Sequence, residues 1–125
     1  MIDHVKLFAT DAGRSRAFYE KALAPLGYRV LLEPGPGVVG MGARRPDLWV
    51  APADGSGPTR CHVSIRADSE QEVDRFHAAA LAAGGTDNGA PGRRPHYHQN
   101  YYGAFVLDPD GNNVEAVYHG AMQPD

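Results

Sequence analysis

The sequence predicts an α+β protein built from two tandem modules, each with the element order strand–helix–strand–strand–strand. The first observation is an internal repeat: shifting the 125-residue chain by 58 positions aligns His4-Val5-Lys6-Leu7 with His62-Val63-Ser64-Ile65. A period this long is typical of two duplicated supersecondary units. The second observation is that the same order of hydrophobic patterns follows each histidine. We therefore expect one domain over residues 1–125, with modules at about 1–52 and 60–120.

The first module opens with a strand at residues 3–9, where apolar and polar side chains alternate. Asp11 is placed to cap a helix over residues 12–26, whose apolar residues recur at helical spacing, and Gly27 ends it. Three short strands are predicted to follow, over residues 28–33, 38–42 and 47–51.

The second module repeats this plan. Residues 61–67 alternate like a strand, and Ser69 with Glu72 forms a capping box that starts the second helix. Gly84-Gly85 ends that helix. Beyond it we expect a short strand from residue 86, a loop over residues 88–99, and a hairpin of residues 101–107 and 113–119 around the turn Asp108-Pro109-Asp110-Gly111.

Three residues are predicted to converge on the sheet faces that the helices leave uncovered: His4, His62 and Glu115. Two imidazoles and one carboxylate are the ligand set of the facial triad, which leaves coordination positions open on a divalent metal. Taken singly, a strand histidine is most often a packed or surface residue, and duplication alone can copy a structural histidine. The equivalent positions of His4 and His62 favour a metal site.

Composition limits the partners that we expect. The net charge is -3, and the pairs Arg44-Arg45 and Arg93-Arg94 are too isolated for a nucleic-acid interface. No apolar run is long enough for a membrane span, and no signal peptide is visible. Cys61 is the single cysteine, so no intrachain disulfide forms, and strand alternation predicts that it is buried. These features favour a cytoplasmic protein.

The chain resembles the vicinal oxygen chelate superfamily, also called the glyoxalase/bleomycin-resistance/dioxygenase superfamily. The resemblance rests on ordered segments along nearly the whole chain: Asp3-His4-Val5, Arg16-Ala17-Phe18-Tyr19, His62-Val63 and Leu107-Asp108-Pro109-Asp110-Gly111-Asn112-Asn113-Val114-Glu115. It implies paired βαβββ modules in a curved, partly open mixed-sheet barrel with the helices outside. It also implies a homodimer and one divalent metal in the cup, with Zn, Fe, Mn and Ni all open. Family ligands come from the first and last strands of each module, and His4, His62 and Glu115 match three of these four places.

The fourth ligand place departs from the family pattern. Aligning Asp47-Leu48-Trp49 with Asn113-Val114-Glu115 puts Trp49 where glyoxalase I enzymes usually have a glutamate. An indole neither ligates a metal nor removes a proton, which argues against glyoxalase I chemistry. Trp49 is interpreted as an apolar wall for a substrate, with simple core packing as the alternative.

Further candidates surround this site. His98 and Tyr101 lie in a polar segment that is suited to acid–base chemistry near the metal. Arg66, four residues after His62, is placed to pair with an anionic substrate group. Phe105 stands where dioxygenases of the family usually carry a tyrosine, and this departs from the dioxygenase pattern.

Together these observations predict a divalent-metal-dependent enzyme that acts on a small oxygen-rich substrate by lyase, dioxygenase or thiol-transferase chemistry. The alternative is a non-catalytic small-molecule or antibiotic-binding protein, like the bleomycin-resistance members, which generally lack the metal ligands. A metal-bearing protein that has lost its chemistry is a third possibility. Uncovered sheet edges and the family resemblance both favour a homodimer, either of side-by-side complete chains or with modules exchanged between chains.

Overall fold

Both modules fold in the expected order in the computed structural model, which describes residues 1–122. The first module comprises β1 (Val5–Ala9), α1 (Ala12–Leu23), β2 (Arg29–Gly35), β3 (Val38–Gly42) and β4 (Leu48–Pro52). The second comprises β5 (His62–Arg66), α2 (Glu70–Ala82), β6 (Thr86–Arg93), β7 (Tyr102–Leu107) and β8 (Asn113–Tyr118). Single 3₁₀ turns follow at Ala24–Leu26 and Gly120–Met122.

The strands form two separate four-stranded mixed sheets, which confirms the predicted α+β class with tandem modules and no closed barrel. Sheet 1 has the order β1-β4-β3-β2, and sheet 2 has the order β5-β8-β7-β6. In each sheet the first and last strands of the module are parallel, and the remaining pairs are antiparallel. Strand β1, which directly follows His4, and strand β5, which begins with His62, are therefore both edge strands.

Strand register shows which positions of the two modules are structurally equivalent. Lys6 pairs with Trp49 in sheet 1, and Ser64 pairs with Glu115 in sheet 2. Because Lys6 and Ser64 are related by the sequence repeat, their partners Trp49 and Glu115 occupy equivalent places. The departure that we inferred from sequence at Trp49 is thus present in the fold.

Helix starts follow the predicted capping chemistry. The Asp11 carboxylate accepts a hydrogen bond from Arg14 N at 3.0 Å, which satisfies one free N–H of α1. Ser69 Oγ accepts from Glu72 N at 3.1 Å, while the Glu72 carboxylate accepts from Asp68 N at 3.1 Å. The second bond reaches one residue further back than in a standard capping box, and it still holds the chain entry to α2 in place.

Three local expectations are corrected. The predicted loop over residues 88–99 is wrong in its first half, because β6 continues to Arg93 and pairs with β7 across register shifts near Gly89 and Gly92. Glycines that resembled turn residues instead sit at bulges.

The first helix ends at Leu23, and the last predicted turn is 3₁₀ with Pro25 inside it. Cys61 is exposed rather than buried, because it precedes β5 and lines a cleft between the modules.

A single hydrophobic core joins the two modules. Helix α1 packs on sheet 1, α2 packs on sheet 2, and the two helices contact each other. The largest fully buried apolar side chains come from both halves of the chain: Leu7, Phe18, Tyr19, Leu23, Met41, Leu48, Val73, Phe76 and Val106. Each sheet therefore keeps its other face clear of its own helix, and we call this the cup face. Within residues 1–122, no helix has both the length and the apolar character required of a membrane span.

A buried polar link also connects the modules at the β7–β8 turn. Tyr19 of α1 donates its hydroxyl hydrogen to the Asp108 carboxylate, with an O···O distance of 2.5 Å. Asp108 additionally accepts from Asn112 Nδ2 at 2.8 Å and from the backbone N–H groups of Asp110 and Asn112 at 2.9 Å. Burial, followed by the Asp108 charge, raises the pKa of Tyr19 well above its usual value, so this phenol stays a donor.

Replacing Tyr19 with Phe is expected to lower the free energy of unfolding by about 1.5–3 kcal/mol, because a buried bond to a charged acceptor is lost. Urea denaturation measures the change. Tyr102→Phe is the matched control, since its hydroxyl bond to Asp74 at 2.7 Å is exposed and should contribute less than about 1 kcal/mol. Equal losses in the two variants would contradict the assigned role of the buried link.

Candidate functional site

The cup face of sheet 2 centres on Glu115, in the middle of β8. Its side chain is only 1% exposed, yet it carries a carboxylate. Oε1 lies 2.9 Å from His62 Nε2, and Oε2 accepts a hydrogen bond from the Tyr101 hydroxyl. Gly103 permits this close arrangement, because a Cβ there would lie 3.1 Å from both Glu115 Oε2 and the Tyr101 ring. Both carboxylate oxygens are thus held in fixed directions.

Tyr101 is the hydrogen-bond donor of this cluster. Partial burial, and then the hydrogen bond and charge of Glu115, raise the pKa of Tyr101 above its ordinary value. The phenol therefore keeps its proton at neutral pH, and donation to the carboxylate is its resting state. The sequence-predicted residue Tyr101 does meet Glu115, as the position of the polar segment suggested.

His98 enters the same cavity, but both of its ring nitrogens are engaged elsewhere. Nδ1 accepts from the Asn100 backbone N–H at 3.1 Å, and Nε2 lies 2.9 Å from His119 Nδ1. Because Nδ1 is an acceptor, the neutral ring carries its proton on Nε2 and donates it to His119. The ring edge of His98 packs against Tyr101, with centroids 5.3 Å apart. His98 is therefore placed to support Tyr101 more directly than to transfer a proton itself.

His119 was not predicted as part of the site. Strand alternation could have indicated that His119 lies on the same face as Glu115, because positions 115, 117 and 119 share one face when β8 is extended by one residue. Its ring lies edge to edge with His98 in nearly the same plane, through the Nδ1···Nε2 contact, and it meets the Tyr101 ring edge-on, with centroids 5.2 and 5.4 Å away.

A cavity of about 600 Å³ lies over this cluster. Its lining is aromatic with one buried carboxylate: His62, His96, Tyr97, His98, Tyr101, Phe105 and Glu115. A volume of this size falls in the range of small-molecule sites.

The cup face of sheet 1 forms a second, different half-site. A cavity of about 360 Å³ there is lined by His4, Lys6 and Trp49, with Asp3 and three apolar residues, Pro34, Val38 and Pro46. His4 Nδ1 lies 2.7 Å from the Asp3 carboxylate, and the His4 ring meets the Trp49 indole edge-on at 6.5 Å. Trp49 thus lines a cavity, as expected of a substrate wall, and this half-site is less acidic than its counterpart.

The predicted metal triad is divided between these half-sites. His4 and His62 both line a cleft of about 430 Å³ between the modules, while Glu115 lines the cavity over sheet 2 with His62. Among residues 1–122, no three His, Cys, Asp or Glu side chains are grouped as a metal ion requires. The three-ligand set therefore remains a prediction, and one chain brings together only His62 and Glu115.

The donor chemistry of that pair fits a divalent metal. Imidazole nitrogen and carboxylate oxygen are ligands of such ions at about 2.0–2.2 Å. His62 Nε2 and Glu115 Oε1 lie next to each other, 2.9 Å apart, in hydrogen-bond contact.

Arg66 is not brought to this pair. It lines a separate cavity of about 610 Å³ with Arg44 and Arg45, from the β3–β4 connection, and with Asp68, which follows β5. Its predicted contact with substrate at the His62–Glu115 cavity therefore has no geometric support within one chain.

The tandem modules, the uncovered cup faces and the His–carboxylate pair agree with a family relationship. The chain belongs to the Glyoxalase/Bleomycin resistance protein/Dioxygenase superfamily, whose sequence model matches residues 1–116. Comparison with functionally curated proteins gave no match.

Solved structures show the same fold. A glyoxalase/bleomycin resistance protein from Albidiferax ferrireducens T118 is 26% identical, with a TM-score of 0.80 and 98% coverage of both chains. Lactoylglutathione lyase from Agrobacterium tumefaciens is 24% identical, with a TM-score of 0.72 and coverage of 99% of this chain and 97% of that one. A V278E glyoxalase I mutant from Zea mays is 27% identical, with a TM-score of 0.72, covering 94% of this chain and 45% of the maize chain.

Proposed function

We propose that the protein is a divalent-metal-dependent enzyme that acts on a small oxygen-rich substrate. The observation that carries this proposal is the buried Glu115 carboxylate, held between His62 and Tyr101 over a ligand-sized cavity. A carboxylate that is 1% exposed is costly to maintain unless it is paired or coordinates a cation. Its retention at the centre of an aromatic cavity supports a chemical role.

His62 and Glu115, joined by His4, are the proposed metal ligands. A metal there would supply Lewis-acid stabilisation of charge that develops on a substrate oxygen. Tyr101 fixes the direction of the carboxylate and offers a protonated phenol beside it. His98 and His119 contact the Tyr101 ring from the side.

A second copy of the chain supplies His4 in this proposal. The helices of one chain are packed together in its core, and the cavities over the two cup faces share no lining residue. Pairing module 1 of one chain with module 2 of another would face His4 toward His62 and Glu115. Strands β1 and β5 lie at the edges of their sheets, where Thr59 covers β1 only at Phe8, and edges of this kind require protection. We therefore propose a homodimer whose cups are shared between chains.

A non-catalytic binding protein is the second candidate. The cavity over sheet 2 is walled by Tyr97, Tyr101 and Phe105, and Tyr97 is 57% exposed. Such rings bind a planar ligand without requiring a metal.

Elemental analysis of purified, metal-supplemented protein separates the two candidates. The enzyme proposal expects about one divalent metal per chain, followed by turnover in a screen of small oxygen-rich substrates with and without thiols. Metal binding should weaken as the pH falls, because imidazoles must be neutral to ligate. Absence of stoichiometric metal would favour the binding protein.

Glyoxalase I activity is expected to be negligible in the Ni- or Zn-loaded protein. Trp49 occupies the place equivalent to Glu115, so the first-module side of each cup lacks the carboxylate that would move the substrate proton. A standard hemithioacetal isomerisation assay measures this. Turnover comparable to that of an authentic glyoxalase I would overturn the inference from Trp49.

A further inference from the structure

The indole of Trp49 is seated on a glycine. Gly40 and Trp49 are cross-strand partners in sheet 1, and a Cβ at Gly40 would lie 2.8 Å from both Cζ2 and Cη2 of the indole. The same Cβ would lie 2.9 Å from Pro46 Cβ. Gly40 therefore provides the space in which the six-membered ring rests against the strand. The half-buried indole is fixed by this contact, and its remaining surface lines the cavity of about 360 Å³.

A cationic side chain lines the same cavity as this ring. Lys6 is the other cross-strand partner of Trp49, is exposed, and lines the same cavity. The carboxylate in the cavity, Asp3, is engaged by His4 at 2.7 Å and by Arg45 at 3.8 Å. Among residues 1–122, no carboxylate forms an ion pair with Lys6. An ammonium group at the rim of an aromatic floor is suited to a ligand that is both planar and anionic.

We propose that the cup face of sheet 1 binds a planar aromatic carboxylate, with its ring against Trp49 and its carboxylate at Lys6. This ligand class would be the substrate class of the proposed enzyme. The inference rests on the proposed function in one respect only, the assumption that the same cup carries out the reaction. The cavity of about 360 Å³ is large enough for a bicyclic ring, and Val38, Pro34 and Pro46 give it apolar lining beside Trp49. The module that carries Trp49 in place of a carboxylate thus recognises the part of the substrate that does not react.

Nuclear magnetic resonance tests the proposal directly, because Trp49 is the single tryptophan of the chain. Its indole N–H gives one assigned cross-peak in a ¹⁵N spectrum of the full-length, metal-free protein. The probe is 2-naphthoate. We expect a saturable shift of that cross-peak, while decahydro-2-naphthoate, of similar shape but saturated, and 2-naphthamide, which is planar but neutral, should bind at least about 10-fold more weakly.

Variants separate the two contacts. Lys6→Gln should weaken 2-naphthoate binding about 10-fold and leave 2-naphthamide unchanged, and Lys6→Arg should restore it. Lys21→Gln is the matched control, since Lys21 is the other lysine and lies on α1, away from the cavity. Trp49→Leu, followed by calorimetry, should remove the preference for the aromatic over the saturated acid while a folded spectrum is retained.

No shift of the indole cross-peak at millimolar 2-naphthoate, equal affinity for the saturated acid, or unchanged affinity in Lys6→Gln would each overturn the proposal. These outcomes are distinct from failure of the proposed enzyme, because the titration uses metal-free protein. A chain that binds 2-naphthoate but takes up no metal keeps the aromatic site and loses the metal chemistry. If the chain takes up metal but shows no indole shift, the metal site stands and the aromatic site is wrong.

Discussion

Glu115→Ala is expected to abolish stoichiometric metal binding and to reduce turnover by at least about 100-fold, the upper end of losses seen when only supporting groups of metal ligands are removed. The variant deletes the one proposed ligand that is fully buried, and it leaves the Tyr101 hydroxyl and His62 Nε2 without their shared partner. Metal titration followed by elemental analysis measures the first effect, and the identified reaction measures the second.

Two controls accompany Glu115→Ala. Glu115→Gln keeps the shape and offers one carbonyl oxygen, so it should fold like the wild type and still bind metal poorly. Glu33→Ala removes an exposed carboxylate that pairs with Arg16 at 2.7 Å, and it should leave metal content unchanged. Full metal occupancy in Glu115→Ala would show that the carboxylate is not a ligand.

Mixing His4→Ala chains with Glu115→Ala chains is expected to restore metal sites that neither variant forms alone. If cups are shared between chains, each mixed dimer contains one cup with intact His4, His62 and Glu115 and one cup that lacks two ligands. Random pairing of equal amounts makes half of the dimers mixed, so metal content should recover to about a quarter of the wild-type value.

Subunit exchange must be confirmed in the same sample, for example by native mass spectrometry of chains with different isotope labels. Mixed dimers that bind no metal would show that each chain builds its own site. Light scattering that gives only a 13.4 kDa species at micromolar concentration would exclude a stable dimer and, with it, shared cups.

Much of the fold was predictable because local patterns and tertiary structure agree. Alternating polarity put Leu7 in the core and Lys6 on the cup face, and both helix caps formed at the predicted serine and aspartate. The repeat alone matched β1 with β5, and both strands lie at the edges of their sheets. Aligning Asp47-Leu48-Trp49 with Asn113-Val114-Glu115 matched position 49 to Glu115, and strand register agrees with that alignment.

The remaining differences have physical causes that a local pattern does not contain. Gly89 and Gly92 have the composition of a turn, and only pairing with β7 makes them bulges in a strand. His119 lies one residue past β8, so its contact with His98 depends on where the preceding polar loop folds back. The separation of His4 from Glu115 depends on how two modules pack, and the repeat is equally compatible with cups within one chain or between two.

The core that both modules share has a consequence for folding. Phe18 from one half and Phe76 from the other are each buried in the same cluster, and the Tyr19–Asp108 bond spans 89 positions of sequence. Neither half encloses a complete core by itself, so the duplication did not yield two autonomous folding units. Isolated halves cut within the connecting segment should remain largely unstructured, and the intact chain should unfold in one cooperative transition. The two modules repeat one architecture, and together they form a single cooperative folding unit.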